Sequence, residues 1–189
     1  MKFSTKILGT ASFGKMLKGL PALGARQALI DSGQIIQNST KIGYLKEISP
    51  EGRSWAKNPE WYLLMKGNAA VLTGPTSKTI PRGKYSKKYE FASINHKRMK
   101  NSLVQNVYGT SKVIVQYDKE AAKRANITQF GGESVMVLNP IAGGKQKKLK
   151  IKVKARPHLG VAEKFPRMGG KSDSDHILEI FSRVVGNSI

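Results

Sequence analysis

Several residue types are scarce or absent in this 189-residue chain, and each absence limits what the protein can be. It has no Cys, which excludes disulfides and Cys-ligated metals and leaves the redox compartment open. No apolar run approaches the roughly 18–20 residues that a helix needs to span a bilayer, so we predict no membrane segment. Acidic residues are few, with 12 Asp plus Glu against 33 Lys plus Arg. The resulting net charge of +21 favours nucleic acid, an anionic membrane or an acidic protein as a partner and says nothing about the fold.

The length fits one domain preceded by an arm. Residues 1–20 are rich in Gly, Ser and Lys and predict an N-terminal arm, and residues 21–189 predict a single domain. The first residues are basic but lack a long apolar segment, so we expect no signal peptide and a chain that stays in the cytoplasm until it is assembled.

Three helices and at least four strands follow from local patterns. A long helix is predicted over 21–42, with Pro21 in its first turn and Gly43 at its end. Its predicted core face comprises Ala25, Leu29, Gly33, Ile36 and Thr40. The runs Leu103–Tyr108 and Lys112–Tyr117 flank Gly109-Thr110-Ser111 and predict a hairpin.

Later patterns complete the prediction. Asp118 is a candidate cap for a short helix that Gly131 and Gly132 end. Ser134–Leu138 and Leu149–Lys154 predict two strands joined by a Gly-Lys loop, and a last helix begins near Ser174 or Asp175. The expected class is α+β, with a mostly antiparallel sheet, a long N-terminal helix, a short middle helix and a C-terminal helix.

The middle of the chain predicts loops and one short strand. Trp55 and Trp61 lie in the loop-like stretch 43–68, where we expect them to pin the loop to the core rather than to bind a ligand. Ala69–Thr73 is a candidate strand. Residues 74–100 are rich in Pro, Lys and Ser and predict a long, basic, partly mobile loop inserted into the domain.

Two segments imitate catalytic or nucleotide-binding motifs. Gly9–Lys15 has phosphate-loop spacing, but Met16 replaces the hydroxyl residue that would hold Mg²⁺, and Pro21 follows too soon for the required helix. Ser172-Asp173-Ser174-Asp175-His176 places a hydroxyl, carboxylates and an imidazole together, yet adjacent residues rarely form a triad and these are typical helix-capping types. The other histidines, His96 and His158, are not spaced as a metal pair. We therefore predict no catalytic site, no metal and no cofactor.

The remaining functional signal is a block of basic residues without acids. A solvated surface and an anionic partner are about equally good explanations of it, and no aromatic RNA-recognition motif accompanies it. The candidate interaction residues are Lys145, Lys147, Lys148, Lys150, Lys152, Lys154 and Arg156, together with Lys84, Lys87 and Lys88 in the basic loop. Arg156, between a strand and Pro157, is suited to anchoring a carboxylate, within the fold in preference to across a subunit boundary.

Four short phrases give the chain a resemblance to a known family. They are Gly52-Arg53-Ser54-Trp55, Arg98-Met99-Lys100-Asn101-Ser102-Leu103, the helix end Arg124–Gly132 with its Gln129-Phe130-Gly131-Gly132, and Lys154-Ala155-Arg156-Pro157-His158-Leu159-Gly160. In order and spacing they resemble the phage virion morphogenesis family, the tail completion proteins of Mu-like and related tailed phages. Arg124 and Thr128 stand where the family has Tyr and His, and Lys154 and His158 replace Pro and Phe. The Thr-Gly pair expected before the second phrase is missing there, and Thr73-Gly74 lies far upstream.

The resemblance implies a non-enzymatic protein of the virion neck. Such a protein forms a ring, a hexamer in this family, that joins the head connector to the tail terminator or tail tube. DNA passes through the channel of such a ring, so the basic residues would face either that DNA or acidic neighbouring proteins, and we favour the proteins. A nucleic-acid-binding protein, ribosome-associated or DNA-binding, is the alternative that the charge alone would equally satisfy.

Overall fold

The computed structural model describes residues 5–6, 22–60, 88–91 and 99–186, and within them the chain has the predicted α+β class. The helices are α1 (Ala22–Lys46), α2 (Lys119–Phe130) and α3 (Asp173–Gly186), with a 3₁₀ turn at Met99–Asn101. The strands are β1 (Thr5–Lys6), β2 (Tyr89–Phe91), β3 (Leu103–Tyr108), β4 (Lys112–Tyr117), β5 (Gly132–Pro140) and β6 (Lys147–Val153). They form two antiparallel three-stranded sheets, ordered β1-β4-β3 and β2-β5-β6, where the sequence had predicted one sheet.

Helix α1 has the predicted core face but ends later than predicted. Ala25, Leu29 and Ile36 are buried, as are Gly33 and Thr40. The prediction that Gly43 ends the helix was wrong, because α1 continues to Lys46 and the chain turns at Glu47, whose φ is 55°. Gly43 instead leaves room for the guanidinium of Arg167, which a Cβ at this position would contact.

The main core lies between α1, α3 and the β3–β4 hairpin. The hairpin pairs Leu103 with Tyr117 and Tyr108 with Lys112 around a turn that begins at Gly109, which confirms the prediction. Leu29 and Ile36 of α1, Val115 of β4 and Phe181 of α3 belong to one buried cluster. Apolar residues three and four apart on each helix meet the alternate residues of the sheet, as amphipathic packing requires.

The second sheet includes a strand that the sequence did not predict. Tyr89–Phe91 lies in the stretch predicted to be a loop, and it pairs with the end of β5, Phe91 opposite Leu138. Strands β5 and β6 pair from Gly132 opposite Val153 to Leu138 opposite Lys147. Residues 89–91 were missed because three residues are too few to display the alternation that marks a strand.

Several predictions concern residues outside the described ranges. These are Pro21, Trp61, the candidate strand Ala69–Thr73, the phosphate-loop-like segment, and most of the arm 1–20 and of the loop 74–100, including Lys84 and Lys87. Across the part of the chain that the structure describes, no helix is long and apolar enough to cross a membrane.

Candidate functional site: a buried polar junction and a cationic strand

The side chain of Gln129 ties the end of α2 to the segment after β6 with three hydrogen bonds. Its Oε1 accepts hydrogen bonds from the backbone N–H groups of His158 (2.9 Å) and Leu159 (3.1 Å), and its Nε2 donates to the carbonyl of Leu159 (3.1 Å). Gly131 makes this approach possible. Its φ is 77°, and a Cβ there would lie 3.0 Å from the Val153 carbonyl oxygen. Gln129 and Gly131 thus hold α2 and the chain after β6 at a fixed separation.

Trp55 attaches a third segment to the same place. The loop after α1 closes with the N–H of Trp55 donating to the carbonyl of Glu47 at 2.8 Å. The indole Nε1 then donates to the carbonyl of Pro157 at 2.7 Å, and the ring packs edge-on against Tyr44 at 5.5 Å between centroids. With 6% of its surface exposed, Trp55 pins the loop to the core as predicted.

His158 occupies the centre of this region and is 1% exposed. Its Nδ1 lies 2.8 Å from the hydroxyl of Tyr117, which lies 2.9 Å from the hydroxyl of Tyr44. Its Nε2 lies 2.9 Å from Oγ1 of Thr128, and the Thr128 hydroxyl donates to the carbonyl of Ala125 at 3.0 Å. Burial lowers the pKa of His158 to about 3, so the imidazole is neutral.

The positions of the protons along this series of hydrogen bonds follow from its Thr128 end. Because the Thr128 hydroxyl donates to a backbone carbonyl, it accepts from Nε2–H of His158. Nδ1 is then the acceptor for Tyr117, whose oxygen accepts from Tyr44. Burial raises the pKa of both tyrosines, so the phenols keep their protons. In this arrangement both nitrogens of His158 are used inside the fold.

Arg156 belongs to this junction and not to the cationic surface with which the sequence grouped it. It is 4% exposed, and its Nε donates to the carbonyl of Ala56 and its Nη2 to Oδ1 of Asn58, both at 2.8 Å. Its backbone N–H donates to the carbonyl of Thr128 at 2.7 Å. These contacts lie within the fold, as the sequence favoured. The acceptors in these two bonds are a backbone carbonyl and a side-chain amide oxygen, where the sequence had predicted a carboxylate.

The second phrase, through Met99 and Ser102, reaches the junction by way of α2. The N–H of Asp118 donates to the carbonyl of Ser102 at 2.8 Å, and the side chain of Asp118 accepts from the N–H of Ala121 at 2.9 Å, confirming the predicted cap. Met99 is buried with its sulfur 3.9 Å from Oγ1 of Thr128. All four phrases therefore meet at one place, although Trp55 and Pro157 are 102 residues apart.

A second buried polar cluster, which the sequence did not reveal, lies between α1 and α3. Ser39 Oγ donates to the carboxylate of Asp173 at 2.8 Å and accepts from Nη1 of Arg167 at 3.1 Å. The same carboxylate oxygen accepts from the N–H of Ala162 at 2.8 Å. Burial raises the pKa of Asp173 and lowers that of Arg167. The cluster attaches residues 160–172 to α1 and α3. No local pattern predicts these contacts of Arg167 and Asp173, because Ser39 is distant from both in sequence.

Ser172 and Asp175 form the predicted helix cap, whereas the carboxylate of Asp173, which the sequence grouped with them, bonds to Ser39 and Ala162. Ser172 Oγ accepts from the N–H of Asp175 at 3.1 Å, and Oδ2 of Asp175 accepts from the N–H and the hydroxyl of Ser172 at 3.1 and 2.7 Å. This reciprocal arrangement is a capping box. His176 points elsewhere, with Nε2 donating to the carbonyl of Met168 at 3.1 Å. Within the described ranges, no three His, Cys, Asp or Glu residues are grouped so that they could hold a metal ion.

The predicted lysines form an exposed row along β6. Lys148, Lys150 and Lys152 alternate with Leu149, Ile151 and Val153, and Lys154 continues the row. Across the hairpin they face Val137, Val135 and Glu133 of β5. Lys145 and Lys147 are also exposed at the start of the strand, and Lys88 is exposed beside β2, where its carbonyl accepts from the N–H of Ile141 at 3.0 Å.

The molecule thus offers a buried junction whose polar groups bond within the fold, and a separate cationic row open to solvent. The junction can hold backbone segments in place, and the row can attract an anionic partner. Comparison with known proteins finds no family model, no curated protein and no solved structure that matches the chain.

Proposed function

We propose that this chain is a structural protein of the phage neck, a tail completion protein that forms a ring between the head connector and the tail. The observation that carries the proposal is the meeting of the four family-like phrases at one junction. The junction brings together phrases whose contacting residues, Trp55 and Pro157, are 102 residues apart in sequence. Here Trp55, Gln129 and Arg156 each bond to a segment from a different phrase or to the loop that follows one.

Two departures from the family pattern lie in direct contact at the junction. Thr128 stands where the family has a His and His158 stands where it has a Phe, and these two residues hydrogen-bond each other at 2.9 Å. The buried imidazole and hydroxyl are therefore bonded within the fold, and the two departures leave no gap in the junction's hydrogen bonding.

The chemistry of the junction fits a structural role. A buried imidazole with both nitrogens bonded inside the fold and a pKa of about 3 is poorly suited to proton transfer near neutral pH. Rigid connections between segments suit a ring subunit, which presents two different surfaces to its two neighbours. The proposed place of action is the virion neck, after assembly in the host cytoplasm, and the proposed partners are further copies of the chain, in a hexamer, with the head connector and the tail terminator or tail tube.

The lysine row supports an anionic partner, and nucleic acid is the second candidate. The two candidates differ in what loss of the protein would do. We expect an amber mutation in the phage gene that encodes this chain to yield DNA-filled heads and separate tails in electron micrographs. Supplying the chain in trans should restore joined particles.

Intact, infectious particles made without the chain would overturn the neck assignment. Joined particles with a defect in a nucleic-acid step would favour the second candidate. In that case binding to DNA should weaken with salt, by about one unit of logarithmic slope for each phosphate contact.

A further inference from the structure

Strand β6 has an incompletely covered apolar face. Among the described residues it pairs only with β5, so it forms one edge of its sheet. On the inner face of the sheet, Met136 and Leu138 of β5 are 8% and 0% exposed, whereas Leu149 and Ile151 of β6 are only half-buried. Burial thus declines from β5 to β6, and the edge strand leaves part of its apolar side chains and its outward backbone groups open.

The outer face of β6 carries the lysine row. Alternate residues of a strand are about 6.6–6.8 Å apart, so Lys148, Lys150 and Lys152 form a regular line of charge. Within the described ranges their ammonium groups make no hydrogen bond or ion pair, and the facing strand supplies one acid, Glu133. All 12 acidic residues of the protein fall in the described ranges, and the remaining segments contain none. The acidic residues of the described part of the chain therefore leave these three ammonium groups without an ion-pair partner.

We propose that β6 is a docking edge for an extended segment of another protein in which acidic and apolar residues alternate. Main-chain hydrogen bonds would add this segment to the sheet as a neighbour of β6. Its acidic residues would then lie beside Lys148, Lys150 and Lys152, and its apolar residues would cover Leu149 and Ile151. The inference goes beyond the proposed function and does not depend on it.

The pattern of β6 selects this occupant over two others. Antiparallel pairing with β6 of a second copy would set lysine against lysine, which is unfavourable. A nucleic acid would neutralise the lysines but would leave the strand edge unpaired and the apolar row uncovered. An alternating acidic and apolar strand satisfies all three features at once.

A short capped peptide of alternating Glu and Val tests the proposal with the full chain. We expect it to bind more tightly than a peptide of the same composition with Glu and Val in separate blocks, and more tightly than oligothymidylate. We also expect it to slow amide exchange at alternate residues of β6, because only a paired strand protects the outward N–H groups.

Matched variants locate the site. Replacing Lys148, Lys150 and Lys152 together with Gln should weaken peptide binding about tenfold, and replacing them with Glu should weaken it further. The control carries Glu at Lys119, Lys123 and Lys164, which are exposed elsewhere, so it has the same net charge as the Glu variant. It should bind the peptide at least tenfold more tightly than the Glu variant, with far-ultraviolet circular dichroism confirming that all variants are folded.

Three results would overturn the proposal. These are equal affinity for the alternating and block peptides, tighter binding of oligothymidylate than of the alternating peptide, and peptide binding without protection of β6 amides. None of them bears on whether heads and tails join without the protein, so this inference and the neck assignment fail separately.

Discussion

Gln129 provides the sharpest test of the junction, because a single side chain makes three hydrogen bonds to the segment after β6. Replacing it with Ala leaves the N–H groups of His158 and Leu159 and the carbonyl of Leu159 without these partners, which lie 2.9–3.1 Å away. Each net bond contributes about 0.5–1.5 kcal/mol, and water can reach the partly buried groups after truncation. We therefore expect Gln129→Ala to lower the free energy of unfolding by about 2–4 kcal/mol.

Urea denaturation measures this loss directly. For a chain of this size the dependence on urea is about 2 kcal/mol per molar, so the midpoint should fall by about 1–2 M with an unchanged slope. Gln146→Ala is the matched control, because Gln146 is exposed and makes one side-chain bond, to Asn139 at 2.8 Å. Its effect should stay within about 0.5 kcal/mol. Equal effects of the two substitutions would refute the claim that Gln129 holds the junction together.

Gln129→Glu separates the acceptor from the donor. A carboxylate can still accept from the two N–H groups, but it cannot donate to Leu159, and it places a negative charge near that carbonyl. At neutral pH we expect Gln129→Glu to lower the free energy of unfolding, but by less than Gln129→Ala does. The cost should shrink below about pH 4.5, where a protonated carboxyl regains a donor. A cost that does not depend on pH would contradict this assignment of the two atoms.

Three further predictions test other parts of the account. Burial lowers the pKa of His158 from 6.5 to about 3, so as the pH falls the unfolded chain takes up a proton before the folded one does. The contribution of His158 to the free energy of unfolding should be complete above pH 6.5 and should fall towards pH 3 by up to about 1.4 kcal/mol per pH unit. His158→Asn should remove this contribution to the slope in urea titrations at several pH values. Arg156→Met should lower the free energy of unfolding by about 2–4 kcal/mol, whereas Lys154→Met, at an exposed neighbour, should change the urea midpoint little; equal effects would place Arg156 on the surface. Gly131→Ala should be more destabilising than Gly143→Ala, since both have positive φ but only the first Cβ would press on backbone atoms at 3.0 Å, and equal losses of melting temperature would contradict this.

The features that could be predicted from sequence are those that short stretches determine. The face of α1, the cap at Asp118 and the positive φ of Gly131 at the helix end each depend on residues within one or two turns of each other. The cationic row could be predicted in the same way, because Lys alternates with apolar residues along β6 itself.

Features that depend on distant partners were missed or misplaced. Gly43 is of the residue type that commonly ends a helix, yet its role is to leave room for Arg167, which lies more than 100 residues away in sequence. Arg156 follows a run of lysines and was grouped with them, although Ala56 and Asn58 draw it into the fold. The pairing of Ser39 with Asp173 has no local signature at all. Long-range polar contacts depend on the assembled fold, which short-range patterns do not encode.

Counting this chain in purified particles of the phage that encodes it tests the central claim most directly. Quantitative mass spectrometry of intact virions should find it at the copy number of a single ring, about six per particle if the ring is a hexamer. The same measurement on isolated tailless heads and on free tails from the same lysate should find the chain on one of these two structures, the one that carries the ring before joining. Complete absence of the chain from washed, infectious particles would contradict a structural role in the neck.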